Sequence, residues 1–290
     1  MIRLTKIQEL PEFSLGEFSG SQAPTPEYLK SNPDYLRLWF SARDKQNRSH
    51  PFFYDLNIIK DTCGNYSFQV KGVVDRPQAV LGHPGTFNDH GNMISQVICG
   101  PTHSDTTTLY VGWNKGDTEA RYRLSLGTNV NNSPTVSPYL DRSVWEPLGA
   151  SMPYLHNKAL YYMSMKGWKG GEAHYDIKSL DIHSDKGNPT ITTILTGHHC
   201  YARPWIRGNQ LWYCYRDFEG FRDNTKNSYK LGLLERHNDT WFPATHKLDK
   251  SQLGDNFMEA YPALVETLFG TFMFFNTSFN GAVSIARIEE

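Results

Sequence analysis

Apolar and aromatic residues alternate with polar ones in short runs along the whole chain, and five of these runs resemble one another. They are "LRLWFSARD" around Leu38, "LYVGWN" around Tyr110, "LYYMSM" around Tyr161, "LWYCYRD" around Trp212 and "TFMFFN" around Phe272. Each has a companion run downstream: "PFFYDLNI", "YRLSLGTN", "YDIKSLDI", "YKLGLLER" and "AVSIARIE". Tyr110, Tyr161, Trp212 and Phe272 follow one another at intervals of 51, 51 and 60 residues. Period-two alternation bounded by Gly, Asn, Asp and Pro predicts strands. A long repeat built from such strands predicts a β-propeller, one sheet per repeat. The expected fold is all-β, a single five-bladed propeller domain spanning residues 1–290.

A further strand precedes four of the aromatic runs: "GNMISQVIC", "SMPYLHN", "ARPWIRG" and "AYPALVE". These are expected to be the innermost strands. The first repeat's inner strand, near "SGSQAPTPEY", is the hardest to place. The opening strand "IRLTKI" has no local partner and is expected beside "AVSIARIE", completing the last blade and closing the ring. Residues Pro24–Pro33 allow a turn or two of helix, kept short by Pro24, Pro26 and Pro33.

Composition narrows the picture. Of 290 residues, 39% are hydrophobic and 13% aromatic, enough for a large core rich in Tyr, Phe and Trp. A formal charge of −1 and no basic tract argue against a nucleic-acid partner. No run approaches the roughly 18 apolar residues that a membrane helix needs, so no membrane insertion is expected. The start "MIRLTKIQELPEFS" has no apolar core of a secretory signal, and a cytoplasmic location fits. Cys63, Cys99, Cys200 and Cys214 are far apart, which suits reduced, mostly buried thiols better than zinc or disulfides.

An inner strand leaves one face of the disc and its neighbour returns to it, so the start of the first and the end of the second share a rim. This pairs Asn88, Asp89 and His90 with Trp113 and Asn114, and Ser151 and Met152 with Lys166 and Trp168. It pairs Tyr201 and Arg203 with Arg216 and Asp217, and Glu259 and Tyr261 with Asn276; the first repeat adds Arg43 and Asp44. Carboxylates beside aromatic platforms suit a sugar, and arginines suit an anionic group on it. Asp89 and Glu259 are the candidate catalytic carboxylates. His90, Trp113, Trp168, Arg203, Arg216, Asp217, Arg43, Tyr261 and Asn276 are candidate substrate contacts. Each has a plainer reading. Asp89 can cap the turn in "FNDHGN", the Arg216–Asp217 and Arg43–Asp44 pairs can form a salt-bridge ladder, and Trp113 and Trp168 can be buried between blades. His198 and His199 lack a third metal ligand at diagnostic spacing, so no metal site is assigned. Arg142 and Glu146 precede the third blade within reach of the pocket, and a loop salt bridge is their plainer reading.

The motifs "RPQAVLGHPGTFNDHGNMISQVI", "LYVGWN", "YARPWI", "LWYCYRD" and "MEAYPALVE" resemble the five-bladed propellers related to glycosidases: arabinanases, xylosidases, invertases, levansucrases and mannoside phosphorylases. The chain most resembles a bacterial branch associated with surface-polysaccharide biosynthesis, with patterns G-x-F-D-x-x-G, Y-x-G-W-N, A-R-P and E-x-x-x-Y-P. That resemblance implies a carbohydrate-active protein with no cofactor, and allows a structural cation on the axis. Glycosidases of the superfamily place an Asp in the first blade, an Asp in the second and a Glu in the third. Here "SGSQAPTPEY" shows no such Asp and "GASMPY" no Glu, so either the acid/base pair is rearranged or the pocket does something else with a sugar. The expectation is hydrolysis or transfer of a glycosyl group, on a carbohydrate or activated sugar. A silent glycan- or nucleotide-sugar-binding module and a protein-interaction scaffold are the alternatives.

Overall fold

The computed structural model describes residues 1–86, 88–99, 106–113, 125–130, 137–141, 149–169, 172–184 and 189–290. Among these residues every regular element is a strand. Sheet I contains β3 (Phe18–Tyr28), β4 (Tyr35–Arg43), β5 (Ser49–Lys60) and β6 (Tyr66–Val73), with the short β2 (Ser14–Leu15) on β3. Sheet II, joined to sheet I by one parallel pairing of Gly91 with Ser49, contains β7 (Gly91–Ile98), β8 (Thr107–Trp113), β9 (Ser125–Val130) and β10 (Ser137–Asp141). Sheet III contains β11 (Ala150–His156), β12 (Ala159–Lys169), β13 (Glu172–Asp181) and β14 (Ile191–Leu195). Sheet IV contains β15 (Cys200–Arg207), β16 (Gln210–Arg216), β17 (Lys230–His237) and β18 (Thr240–Pro243). Sheet V contains β20 (Ala260–Thr267), β21 (Gly270–Asn276), β22 (Val283–Glu289), β1 (Ile2–Glu9) and β19 (Leu248–Gln252).

The N-terminal strand lies where its pattern places it, antiparallel to β22 with Leu4 opposite Ile288. Outside it β19 adds a parallel edge, Ile2 opposite Leu248, which the sequence pattern did not suggest. The helical turn expected within Pro24–Pro33 is absent. Pro24, Pro26 and Tyr28 belong to β3, and turns follow it. Proline is tolerated there because an innermost strand has one edge with no ladder partner, so the missing N–H leaves nothing unpaired.

The inner strands touch in sequence: β3 contacts β7 and β20, β7 contacts β11, and β15 contacts β11 and β20. Aromatic side chains fill the gaps between sheets, as where Phe68 of sheet I meets Phe272 of sheet V edge-on at 5.1 Å. Three side-chain amides also clasp neighbouring sheets by copying a strand partner. Gln8 donates to the Phe68 carbonyl at 2.9 Å and accepts its N–H at 2.8 Å. Gln96 does the same to Leu155, at 3.0 and 2.7 Å. Asn276 accepts the Ala23 N–H at 2.9 Å and donates to Ser21 O at 2.8 Å. A backbone edge that would otherwise be buried unpaired is satisfied each time.

Of the four thiols only Cys200 and Cys214 are buried; Cys63 and Cys99 are exposed, contrary to the expectation of mostly buried cysteines. The turn between β5 and β6 holds Cys63 at the surface.

Candidate functional site at the central rim

The registers put inner-strand starts and second-strand ends on one rim. Ser19 lies opposite Arg43, Gly91 opposite Trp113, Ala150 opposite Ser164, Cys200 opposite Arg216 and Ala260 opposite Asn276. Beneath this rim all five sheets contribute to one cluster. Met93, Met152, Met163, Met258 and Tyr229 are buried in it, and Trp113, Tyr175, Phe257, Tyr261 and Phe279 are partly exposed above. Methionine supplies an adaptable floor and the aromatic rings a wall.

One backbone device aims this lining. Ala23, Met152, Arg203 and Tyr261 have φ of 53°, 49°, 44° and 54°, each at a ladder irregularity and each followed by proline. A non-glycine residue at positive φ stores about 1–3 kcal/mol, and such strain concentrates at functional sites. The repeated X-Pro of the inner strands was the sequence signal for Met152, which pattern reading had placed on the rim without assigning it a role. Tyr175 and Tyr229 open the companion runs "YDIKSLDI" and "YKLGLLER", but the rim rule counted only inner-strand starts and second-strand ends; Phe257 and Phe279 lie outside the alternating runs altogether.

Arg203 is 1% exposed and reaches from sheet IV to sheets I and II. Its Nη2 donates to Thr25 Oγ1 at 2.6 Å and to Ser95 O at 3.4 Å, while Nε and Nη1 have no hydrogen-bond partner. Burial pushes its pKa down to about 9, so it stays charged at neutral pH. A cation placed beside this guanidinium would meet like-charge repulsion at low dielectric, so the centre of this chain does not suit the axial cation that the family resemblance allowed. Among the described residues no cluster of three or more His, Cys, Asp or Glu could hold a metal.

The remaining candidates fall into two groups. Several are committed to the framework. Asn276 is 1% exposed, with both amide atoms bonded to backbone, so it clasps two sheets together. Arg216 is 4% exposed and donates to Tyr229 Oη, Asp217 O and Ala173 O at 3.2, 3.1 and 3.0 Å, tying sheet IV to sheet III. The Arg–Asp ladder does not form. Asp217 pairs with His199 Nδ1 at 3.0 Å, and Asp44 with Arg48 at 2.8 Å and His50 at 3.0 Å. In both pairs the arginine and aspartate are adjacent along a strand end, so their side chains diverge.

The others lie beside the ends of the rim strands. The His90 backbone N–H donates to Trp113 O at 2.8 Å, and Arg43 lies 5.4 Å from the Trp113 ring, joining sheets I and II. Tyr261 stands 5.7 Å from Tyr229. Asp89 accepts the Gly85 N–H at 2.8 Å and so caps its own turn. Glu259 directly precedes β20, but its carboxylate accepts hydrogen bonds from the Leu231 N–H at 3.1 Å and the Lys250 ammonium at 2.7 Å, so it is turned toward β17 and the edge strand β19 and away from the inner strands. Asp89 adjoins sheet II and Glu259 sheet V, with sheet I between them. Trp168 pairs through its backbone with Ala173, and its side chain lies outside the described residues, as do Asn114, Arg142 and Glu146.

No family model and no curated protein matches the chain. Solved structures do. A thermostable family-43 glycoside hydrolase matches over 95% of this chain and 90% of its own, with TM-score 0.54 and 12% identity. The α-L-arabinofuranosidase of Podospora anserina, solved with cellotriose, matches over 100% and 96%, with TM-score 0.56 and 9% identity. A family-62 hydrolase solved with xylotriose matches over 98% and 97%, with TM-score 0.54 and 11% identity. The likeness is one of fold: the chain is all-β and shares the propeller architecture of family-43 and family-62 glycoside hydrolases.

Proposed function

We propose that the protein is a carbohydrate-active β-propeller. Its five sheets close into one ring and one domain, and it hydrolyses or transfers a glycosyl group at the central rim. The observation that carries this reading is the convergence of partly exposed Trp113, Tyr175 and Tyr261, from three sheets, over a buried methionine floor. Aromatic faces cover the apolar faces of sugar rings, while nearby polar groups fix orientation. The succession of inner-strand contacts supports the closed ring, and the glycosidase fold supports the substrate class. Asp89 and Glu259 take the roles of acid/base or nucleophile, His90 and Arg43 orient the ligand, and Arg203 supplies positive charge beneath it. The motif "GTFNDHG" and its companions support a place in bacterial surface-polysaccharide metabolism, on the cytoplasmic side.

A second reading, glycan binding without turnover, is favoured by one observation: both rim carboxylates already have partners, Gly85 N–H for Asp89 and Lys250 for Glu259. Calorimetry and product analysis on a panel of oligosaccharides and nucleotide-activated sugars separate the two. Saturable binding with product supports the first reading and saturable binding alone the second. Binding unaffected by both Trp113→Ala and Tyr261→Ala would remove the central rim from either.

A further inference from the structure

At the opposite end of sheets III and IV from the rim lies an open groove of about 830 Å³. It is built from the β11–β12 turn, the end of β13, the start of β14 and the β17–β18 turn. Its volume falls within the range of about 300–1,000 Å³ typical of small-ligand sites. Trp241 and Tyr161 meet edge-on at 6.1 Å across the junction of the two sheets. The Arg236 guanidinium lies 5.8 Å from the Trp241 ring and is tethered to Asp239 at 2.8 Å. The indole is thereby held in place while remaining partly exposed.

The rest of the lining is dense in groups that bond hydroxyls. Asn157, Asp181 and Thr192 converge there, and they include amide, carboxylate and hydroxyl chemistry. Lys158 and Arg236 are balanced by Asp181 and Asp239, so the groove has no excess charge to select a phosphate, a nucleic acid or an acidic chain. A rigid indole beside many neutral and paired polar groups matches a ligand with an apolar ring face and a girdle of hydroxyls.

We propose that this groove is a second carbohydrate site, separate from the central rim, which takes a neutral oligosaccharide. The site stands on its own lining and does not depend on chemistry at Asp89 or Glu259.

The test is calorimetry and amide chemical-shift mapping with cellohexaose, xylohexaose and arabinohexaose, with hexagalacturonate as the acidic comparison. At least one neutral hexasaccharide should shift resonances of residues 156–161 and 236–241, and should bind more tightly than the uronate. Trp241→Ala should weaken that binding at least tenfold. Thr192→Trp, an exposed position where bulk blocks the groove without touching the core, should do the same. Trp113→Ala at the rim should leave the groove shifts in place. Absence of groove shifts with all three neutral probes, or shifts that survive both groove variants in folded protein, would overturn the proposal.

Discussion

The Lys250 ammonium lies 2.7 Å from Glu259 Oε2, and the same oxygen accepts the Leu231 N–H at 3.1 Å. Glu259 thus holds the start of β20 against β17 at a point where the outer edge of β17 would otherwise be unpaired. A half-buried pair of this kind couples modestly. A double-mutant cycle of Lys250→Met and Glu259→Gln, read by urea unfolding, should give a coupling of about 1 kcal/mol at low salt that shrinks in 0.5 M NaCl. A coupling of zero at low salt would mean that the two groups do not interact in solution.

Asn276 replaces a missing strand partner between sheets V and I. Asn276→Leu leaves the Ala23 N–H and the Ser21 carbonyl without these bonds, while the Ala282 carbonyl keeps the Thr277 N–H, and should cost about 2–4 kcal/mol in denaturant unfolding. A cost under about 0.5 kcal/mol would return Asn276 to the list of ligand contacts.

Asp44 gives the β4–β5 hairpin an acid-sensitive lock. Burial alone would raise its pKa, but the Arg48 N–H, the His50 ring and the Arg48 guanidinium together hold it below the usual carboxylate value. A carboxylate depressed in the folded state contributes stability that is fully present above its unfolded pKa, near 4, and is lost as pH falls through the folded value. The stability difference between wild type and Asp44→Asn should therefore be largest at pH 5–7 and shrink below about pH 4. A difference that stays constant from pH 3 to pH 7 would contradict this.

Arg203 carries a buried charge whose hydrogen-bond partners among the described residues are Thr25 Oγ1 and Ser95 O. Its desolvation is poorly compensated, and methionine fits the surrounding cluster. Arg203→Met should unfold within about 1 kcal/mol of wild type, or later, while weakening ligand binding at the rim. A loss above about 3 kcal/mol with binding unchanged would make Arg203 a framework residue.

The strands were legible because aromatic residues alternate strongly in them, and the place of β1 beside β22 because "IRLTKI" had no neighbour to pair with. β3 was obscured by Pro24 and Pro26, which ordinarily argue against a strand, although an innermost edge tolerates them. The rim positions of Arg43, Arg216 and Asn276 were legible from register. Their partners were not, since a clasp between sheets joins residues hundreds of positions apart, such as Asn276 and Ala23. Periodicity places a side chain on a rim; it does not say whether its polar atoms are already taken.

The proposed glycosyl chemistry at this rim depends on Asp89 and Glu259. The direct measurement is turnover and ligand affinity of Asp89→Asn and Glu259→Gln, using whichever sugar the wild-type protein processes. Glutamine can still accept the Leu231 N–H, so the fold should survive. The account predicts that each variant loses at least a hundredfold in turnover while affinity stays within about threefold, consistent with the size of general acid–base contributions. Both variants turning over at the wild-type rate would contradict it.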